Sequence, residues 1–179
     1  VDGGVARTEN HSLNAEPGFV ICKSYTQAGT QWYMYHKSLS EDAYLRFTNG
    51  PKVDSPGAWQ DMTTTTFGFG TAASLNAAGR SHVAYLFADT PGLIKCGEYD
   101  GSSGQVVVSC GFEPEWLLVK AHNTSRNWGV FDLKRNGDTT YMGNTLFADT
   151  SDSEITYGNS ITTSSTGFTI AAPGPNTPS

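Results

Sequence analysis

No cluster of lysine or arginine occurs anywhere in this chain, which carries a net charge of −6 and only 16% charged residues. Nucleic acid is therefore a poor partner, because phosphate contacts need clustered basic side chains. Anionic membrane surfaces are disfavoured for the same reason. No apolar run approaches the roughly 20 residues of a membrane span. No stretch holds apolar residues at i, i+3, i+4, i+7 for three turns, so almost no helix is expected. Cysteine is scarce and odd in number: Cys22, Cys96 and Cys110. That is no disulfide framework, and each lies in an apolar run, where a buried thiol is the ordinary reading. A Cys96–Cys110 bridge would need adjacent strands and an oxidising compartment. Zinc-ligand spacing, a phosphate-binding loop and a serine nucleophile elbow are all missing.

What is present is glycine, 20 of 179 residues, with much threonine and serine, a composition of turn-rich β proteins. The chain also repeats itself. Glu16-Pro17 corresponds to Glu113-Pro114, and Phe19–Lys23 to Trp116–Lys120. Trp32, Tyr35 and His36 correspond to Trp128, Phe131 and Asp132. The only length change falls in the polar turn between the two runs, which reads as an internal duplication.

Short apolar or alternating runs bounded by glycine and proline predict about a dozen strands. Gly18–Lys23, Trp32–His36, Tyr44–Thr48 and Thr66–Gly70 are the first of them. Ser81–Asp89 is apolar on both faces and reads as a central strand. Leu93–Tyr99 and Gln105–Cys110 flank Asp100–Gly104 and read as a hairpin. Glu115–Ala121, Trp128–Leu133, Thr139–Gly143 and Gly167–Ala171 complete the set, and Asp149–Glu154 is the place for one helical turn. The expected fold is all-β, a two-sheet β-sandwich of the jelly-roll kind built from two related halves. The sandwich is expected over 13–172, with halves at about 16–89 and 113–172. Residues 1–12 read as an arm or edge strand, and 173–179 as a Pro-rich tail.

Catalytic constellations are weak. Glu113 and Glu115 are the nearest approach to a glycosidase acid pair, which needs two carboxylates across a sugar. A proline separates them, and the first copy has Gly18 in place of the second acid. His11, His36, His82 and His122 stand in no catalytic motif. The expectation is a protein that is not an enzyme and needs no cofactor. Calcium is the one cation with oxygen ligands gathered in loops, the better group being Asp149, Asp152 and Glu154. For glycan contact a stacking aromatic with polar neighbours is required. Trp32, Trp116 and Trp128 lie in strand patterns and read as core. Trp59, with Gln60 and Asp61, lies in a loop with no counterpart in the second copy and reads as ligand-facing. Trp116→Ala is accordingly expected to cost more stability than Trp59→Ala.

The run Trp32–Leu39 followed by Tyr44-Leu45, and the run Cys96–Gly101 through Gly111–Pro114 and Val119-Lys120, resemble the concanavalin A-like domains of structural proteins in tailed, notably marine, bacteriophages. The resemblance covers roughly 13–172 and rests on strand aromatics and turn glycines. It implies a jelly-roll sandwich located in a virion, in a tail or fibre component. Its implied work is structural or host-attaching, through other virion subunits, further copies of itself and host-surface glycan. The alternative is a free-standing lectin-like carbohydrate-binding domain, with a glycan hydrolase behind it.

One strand of the first copy has no counterpart. Gly68-Phe69 leads through a turn into Ser81–Ala88, whereas Gly167-Phe168 leads into Pro173-Gly174-Pro175. The equivalent strand is expected from a continuation of the chain or from a neighbouring subunit; the alternative is that the second copy has lost it and the Pro-rich tail covers the gap.

Overall fold

The structure is a computed structural model, describing residues 4–101, 104–137 and 141–171. It is all-β: among the described residues every strand pairs antiparallel and there is one single-turn helix. Two compact units form, one from residues 1–47, 52–90 and 94–97, the other from 48–51, 91–93 and 98–179.

The first unit is a sandwich of two sheets. One sheet runs β5 (Val53–Asp54), β4 (Ala43–Arg46), β3 (Tyr33–His36), β2 (Pro17–Ser24) and β8 (His82–Ala88). The other runs β1 (Arg7–Asn10), β7 (Thr66–Phe69) and β6 (Trp59–Gln60). Successive side chains of a strand point to opposite faces, so Val20, Cys22, Tyr35 and Tyr44 from the first sheet meet Trp59, Phe67 and Phe69 from the second. Tyr33 and Tyr44 touch edge to face at 5.0 Å, and Trp59 lies 5.4 Å from Phe69. Burial pushes the Cys22 thiol up to about 12, partly offset by Arg7. The N-terminal segment is an edge strand: β1 pairs with β7, and the Asn76 amide holds the Val5 and Gly70 carbonyls at 2.9 and 2.8 Å.

The second unit is one six-stranded sheet in the order β10 (Trp116–Val119), β11 (Gly129–Asp132), β12 (Tyr141–Phe147), β13 (Ile155–Ser164), β14 (Gly167–Ile170) and β9 (Val106–Ser109). Residues from both end strands, Leu117 and Val119 on β10 and Val108 on β9, pack against Phe131, Met142, Ile161 and Phe168. Helix α1 (Leu133–Asn136) is capped at its start by the Asp132 carboxylate, which accepts from the Lys134 and Arg135 amides. Gly137, at φ 69°, ends it in the left-handed conformation open to glycine.

The repeated segments form the same hairpin in the same register. Phe19↔His36, Val20↔Tyr35 and Ile21↔Met34 in β2–β3 match Trp116↔Asp132, Leu117↔Phe131 and Leu118↔Val130 in β10–β11. The Lys23 ammonium reaches the Thr30 carbonyl, and the equivalent Lys120 reaches the equivalent Arg126 carbonyl. His36 accepts from the amide of Ser38 two residues on, as Asp132 does from Lys134. A Cβ on Gly68 would meet the Arg7 carbonyl on β1 at 2.6 Å, and one on Gly167 the Val108 carbonyl on β9 at 2.0 Å. Glycine at both sites lets the neighbouring strand approach.

Several expectations are corrected. Segment 81–89 is not a central strand: β8 ends its sheet, with Ala84 and Leu86 inward and Tyr85 and Phe87 outward. Leu93–Tyr99 forms no hairpin with β9, which pairs with β14 instead; Ile94 makes only a bridge back to Thr90. The helical turn lies at 133–136, not 149–154. Trp116, expected in the core, is 54% exposed, because parity sends Leu117 and Val119 inward and Trp116 out. Trp32 is half-buried beneath the Lys23 ammonium, 5.2 Å from its ring, while Trp128 is buried. No disulfide joins Cys22, Cys96 and Cys110. The Pro-rich tail 173–179 and Ser102-Ser103 of the glycine-rich loop lie outside the described residues.

The order of the two tryptophan substitutions therefore reverses. Trp59, 2% exposed and donating its indole N–H to the Ala43 carbonyl, should cost about 3–5 kcal/mol on truncation to alanine. Trp116→Ala should cost well under half of that, and paired thermal melts compare them directly.

His82 supplies a pH dependence. Burial first, and the Arg7 guanidinium second, hold its imidazole below the ordinary value. Arg7 donates to His82 Nδ1 at 3.0 Å, and the ring stacks on Phe69. The unfolded chain takes up this proton near pH 6.5, while the folded chain resists it. Stability should fall as pH drops through about 6.5 and level off below the folded value. His82→Gln should fall less between pH 7 and 5, read as Tm.

Candidate binding surface

The residues expected to face a glycan do not form a site. The segment Trp59–Gln60 is a strand, and its alternation turns Trp59 into the core against Tyr35 and Phe69. Gln60 and Asp61 face the other way, bonded to each other and both to Thr8. An indole with 2% exposure offers no face for a sugar, so the assignment of Trp59, Gln60 and Asp61 is corrected. The proposed calcium ligands are likewise engaged separately. Asp149 accepts from the Trp128 amide at 2.9 Å, and Glu154 lies 3.4 Å from Arg135 Nε. Asp152 is exposed, and among the described residues no group of three or more His, Cys, Asp or Glu stands together as metal ligands. Glu113 accepts from Thr163, and Glu115 pairs with Lys134.

A different surface emerges on the outward face of the sheet β8–β2–β3. Phe87, Phe19 and His36 are directly opposite one another across three strands. Their rings stand 6.1 and 6.3 Å apart, within the range of aromatic contact. In the next row Tyr85 lies opposite Ile21. Phe87 and Tyr85 are 38% and 52% exposed. The row is legible only once β8 is known to lie beside β2, since Phe19, His36 and Phe87 are far apart in sequence.

Beyond that row, at the same end of the strands, stands a charged cluster. Asp89 Oδ2 accepts from Lys37 and Lys95, each at 2.7 Å, and Oδ1 from the Cys96 amide at 2.8 Å. Burial alone would raise the Asp89 carboxyl, but these hydrogen bonds outweigh it and hold the group well below the usual carboxylate range. Cys96, whose thiol burial pushes up, lies against Gly18. The Lys37 amide donates to the Gly18 carbonyl at 3.0 Å. The absence of a side chain at Gly18 is what lets the segment 94–97 close on β2. The arrangement has the parts of a binding surface: a rigid aromatic strip, then two ammonium groups sharing one carboxylate.

The fold and this surface define an all-β protein with an aromatic sheet face. The chain belongs to the family described as a domain of unknown function, DUF7483, whose model matches residues 2–176. No curated protein and no solved structure matches it.

An alanine at Gly18 would place its Cβ 2.8 Å from Cys96 Cβ and 2.9 Å from Sγ. Gly18→Ala should destabilise by about 1–3 kcal/mol through overpacking. Adding Cys96→Gly should recover part of that loss, so a double-mutant cycle by denaturant unfolding should show clear coupling.

Proposed function

We propose that this chain is a non-enzymatic structural or host-attachment module of a bacteriophage tail or fibre, acting in the virion through its surfaces. Its partners in this reading are other virion subunits and host-surface glycan. The observation that carries it is the outward row Phe87–Phe19–His36 with Tyr85 beside it, bordered by Lys37, Asp89 and Lys95. Aromatic rings stack on the C–H faces of sugars, and ammonium and carboxylate groups hydrogen-bond their hydroxyls. Two ammoniums to one carboxylate favour an acidic sugar. Two β-sheets supply the stiffness that a surface of this kind needs. The placement in a phage particle is supported by the resemblance of the strand aromatics and turn glycines to phage structural domains.

Mass spectrometry of purified particles should detect peptides of this chain, and their absence would end the virion reading. On a glycan array the protein should favour acidic oligosaccharides. Phe87→Ala should weaken that binding about tenfold, the effect of one aromatic contact plus its buried area, with little change in Tm.

A further inference from the structure

The sequence holds no run of basic residues, yet the fold gathers three arginines from distant parts of the chain. They meet at the end of the first sandwich opposite Asp89, where β2 ends and β8 begins. Here Ser24 is directly opposite His82, and Tyr33 is directly opposite both Cys22 and Arg46. Residues directly opposite share a face, and Cys22 belongs to the core. Ser24, His82, Tyr33 and Arg46 therefore lie on the inward face of the sheet, at its end. From the facing sheet Arg7 donates to His82 Nδ1 at 3.0 Å, and its guanidinium lies 5.7 Å from the centre of the Phe69 ring. Arg80 precedes His82 by two residues. Burial and then Tyr44 raise the Tyr33 phenol, while the nearby charges of Arg46 and Arg80 draw it down. Arg80 also joins burial and Arg7 in holding His82 low.

This positive charge stands without a matching negative one, in a chain whose net charge is −6. Neither Arg7 nor Arg80 forms an ion pair with a carboxylate among the described residues. Like charges brought together repel unless something negative lies among them. Two polar atoms of the same region are also unsatisfied. Ser24 is 3% exposed and its hydroxyl has no hydrogen-bond partner, nor has the buried Arg7 Nε. Buried polar groups of folded proteins are bonded to protein, water or an ion. Guanidinium groups present planar forks that match the oxygens of an oxyanion. A carboxylate offers two oxygens, whereas a phosphate or sulfate group offers at least three, one for each arginine.

We propose that this end of the first sandwich binds a phosphate or sulfate group, held by Arg7 and Arg80, with Arg46 and Tyr33 at its border and the Ser24 hydroxyl at its floor. The group is a free ion or an ester carried on a sugar, since the contacts are the same for both. The site lies at the opposite end of β8 from Lys37, Asp89 and Lys95, and it does not depend on where the protein acts.

Titration of the 15N-labelled full chain with inorganic phosphate, and separately with sulfate, tests this. The range is about 0.1 to about 50 mM, at fixed pH and with ionic strength held constant by chloride. Amide signals of Ser24, Tyr33, Arg80 and His82 should move and saturate, while those of Lys37 and Asp89 stay in place. Glucose 6-phosphate and glucose 6-sulfate supply the ester arm: tighter binding than the bare ion identifies an ester ligand, weaker binding a free ion. Arg80→Gln should weaken phosphate binding about tenfold. Arg80→Lys, which keeps the charge and loses the fork, should weaken it less. Lys134→Gln, which removes an exposed cation of the second unit, should bind as wild type does. The absence of any saturable shift with either ion overturns the proposal. So do shifts confined to Lys37 and Asp89, or an Arg80→Gln protein that binds as tightly as wild type. The wild-type shifts decide the matter even where Arg80→Gln folds poorly.

Discussion

Both hydrophobic cores hang on the antiparallel pairing of one apolar strand with one that follows a polar loop. Because side chains alternate across a strand, a slip of one residue would turn Val20, Cys22 and Tyr35 out of the first core. It would do the same to Leu117 and Phe131 in the second. Register is therefore the quantity the structure protects, and it does so with polar contacts at both ends of the hairpin. A lysine at or just past the end of the first strand grips a carbonyl of the loop, and an acceptor side chain at the end of the second strand fixes the turn that follows. These contacts recur in both units with different residue types at the cap, His36 in one and Asp132 in the other. Accepting a backbone N–H is the property in common.

The surface follows from the same alternation. With Val20 and Cys22 committed inward, Phe19 and Ile21 must face out, and the neighbouring strand brings Phe87 and Tyr85 level with them. The strip is held on paired backbone, so little conformational freedom is lost when something binds there. The Lys37–Asp89–Lys95 group adds polar contact at one end, and the short approach of Cys96 to Gly18 holds that end in place.

Much of this was legible in the chain before the structure. Alternating and apolar runs located most of the strands, and the ordered repeat located the hairpins. The tryptophans were not legible, and for a definite reason. Trp116 lies in a wholly apolar run, WLLV, where composition cannot say which alternate residues face inward; Leu117 and Val119 took that role. Trp59 lies between turn residues, yet two residues of pairing with β7 suffice to turn it inward. Apolarity on both faces made β8 look central, whereas its outward residues form the exposed surface. Strand β13 was missed because Thr and Ser dominate it, although β-branched Thr162 and Thr163 beside Ile161 carry strand propensity. The outward row joins residues from β2, β3 and β8, and no local pattern announces it.

The pairing of β1 with β7, and of β9 with β14, sets the order in which a nascent chain can complete its fold. Each of these early strands precedes its hairpin, yet its partner is the Gly-Phe strand, roughly sixty residues further along. At ribosomal speeds of about 5–20 residues per second, the hairpin has time to close while the strand before it waits with its backbone groups in water. In the second unit the segment that emerges first is thus the last to be locked in, and in the first unit only β8 joins later, beside β2.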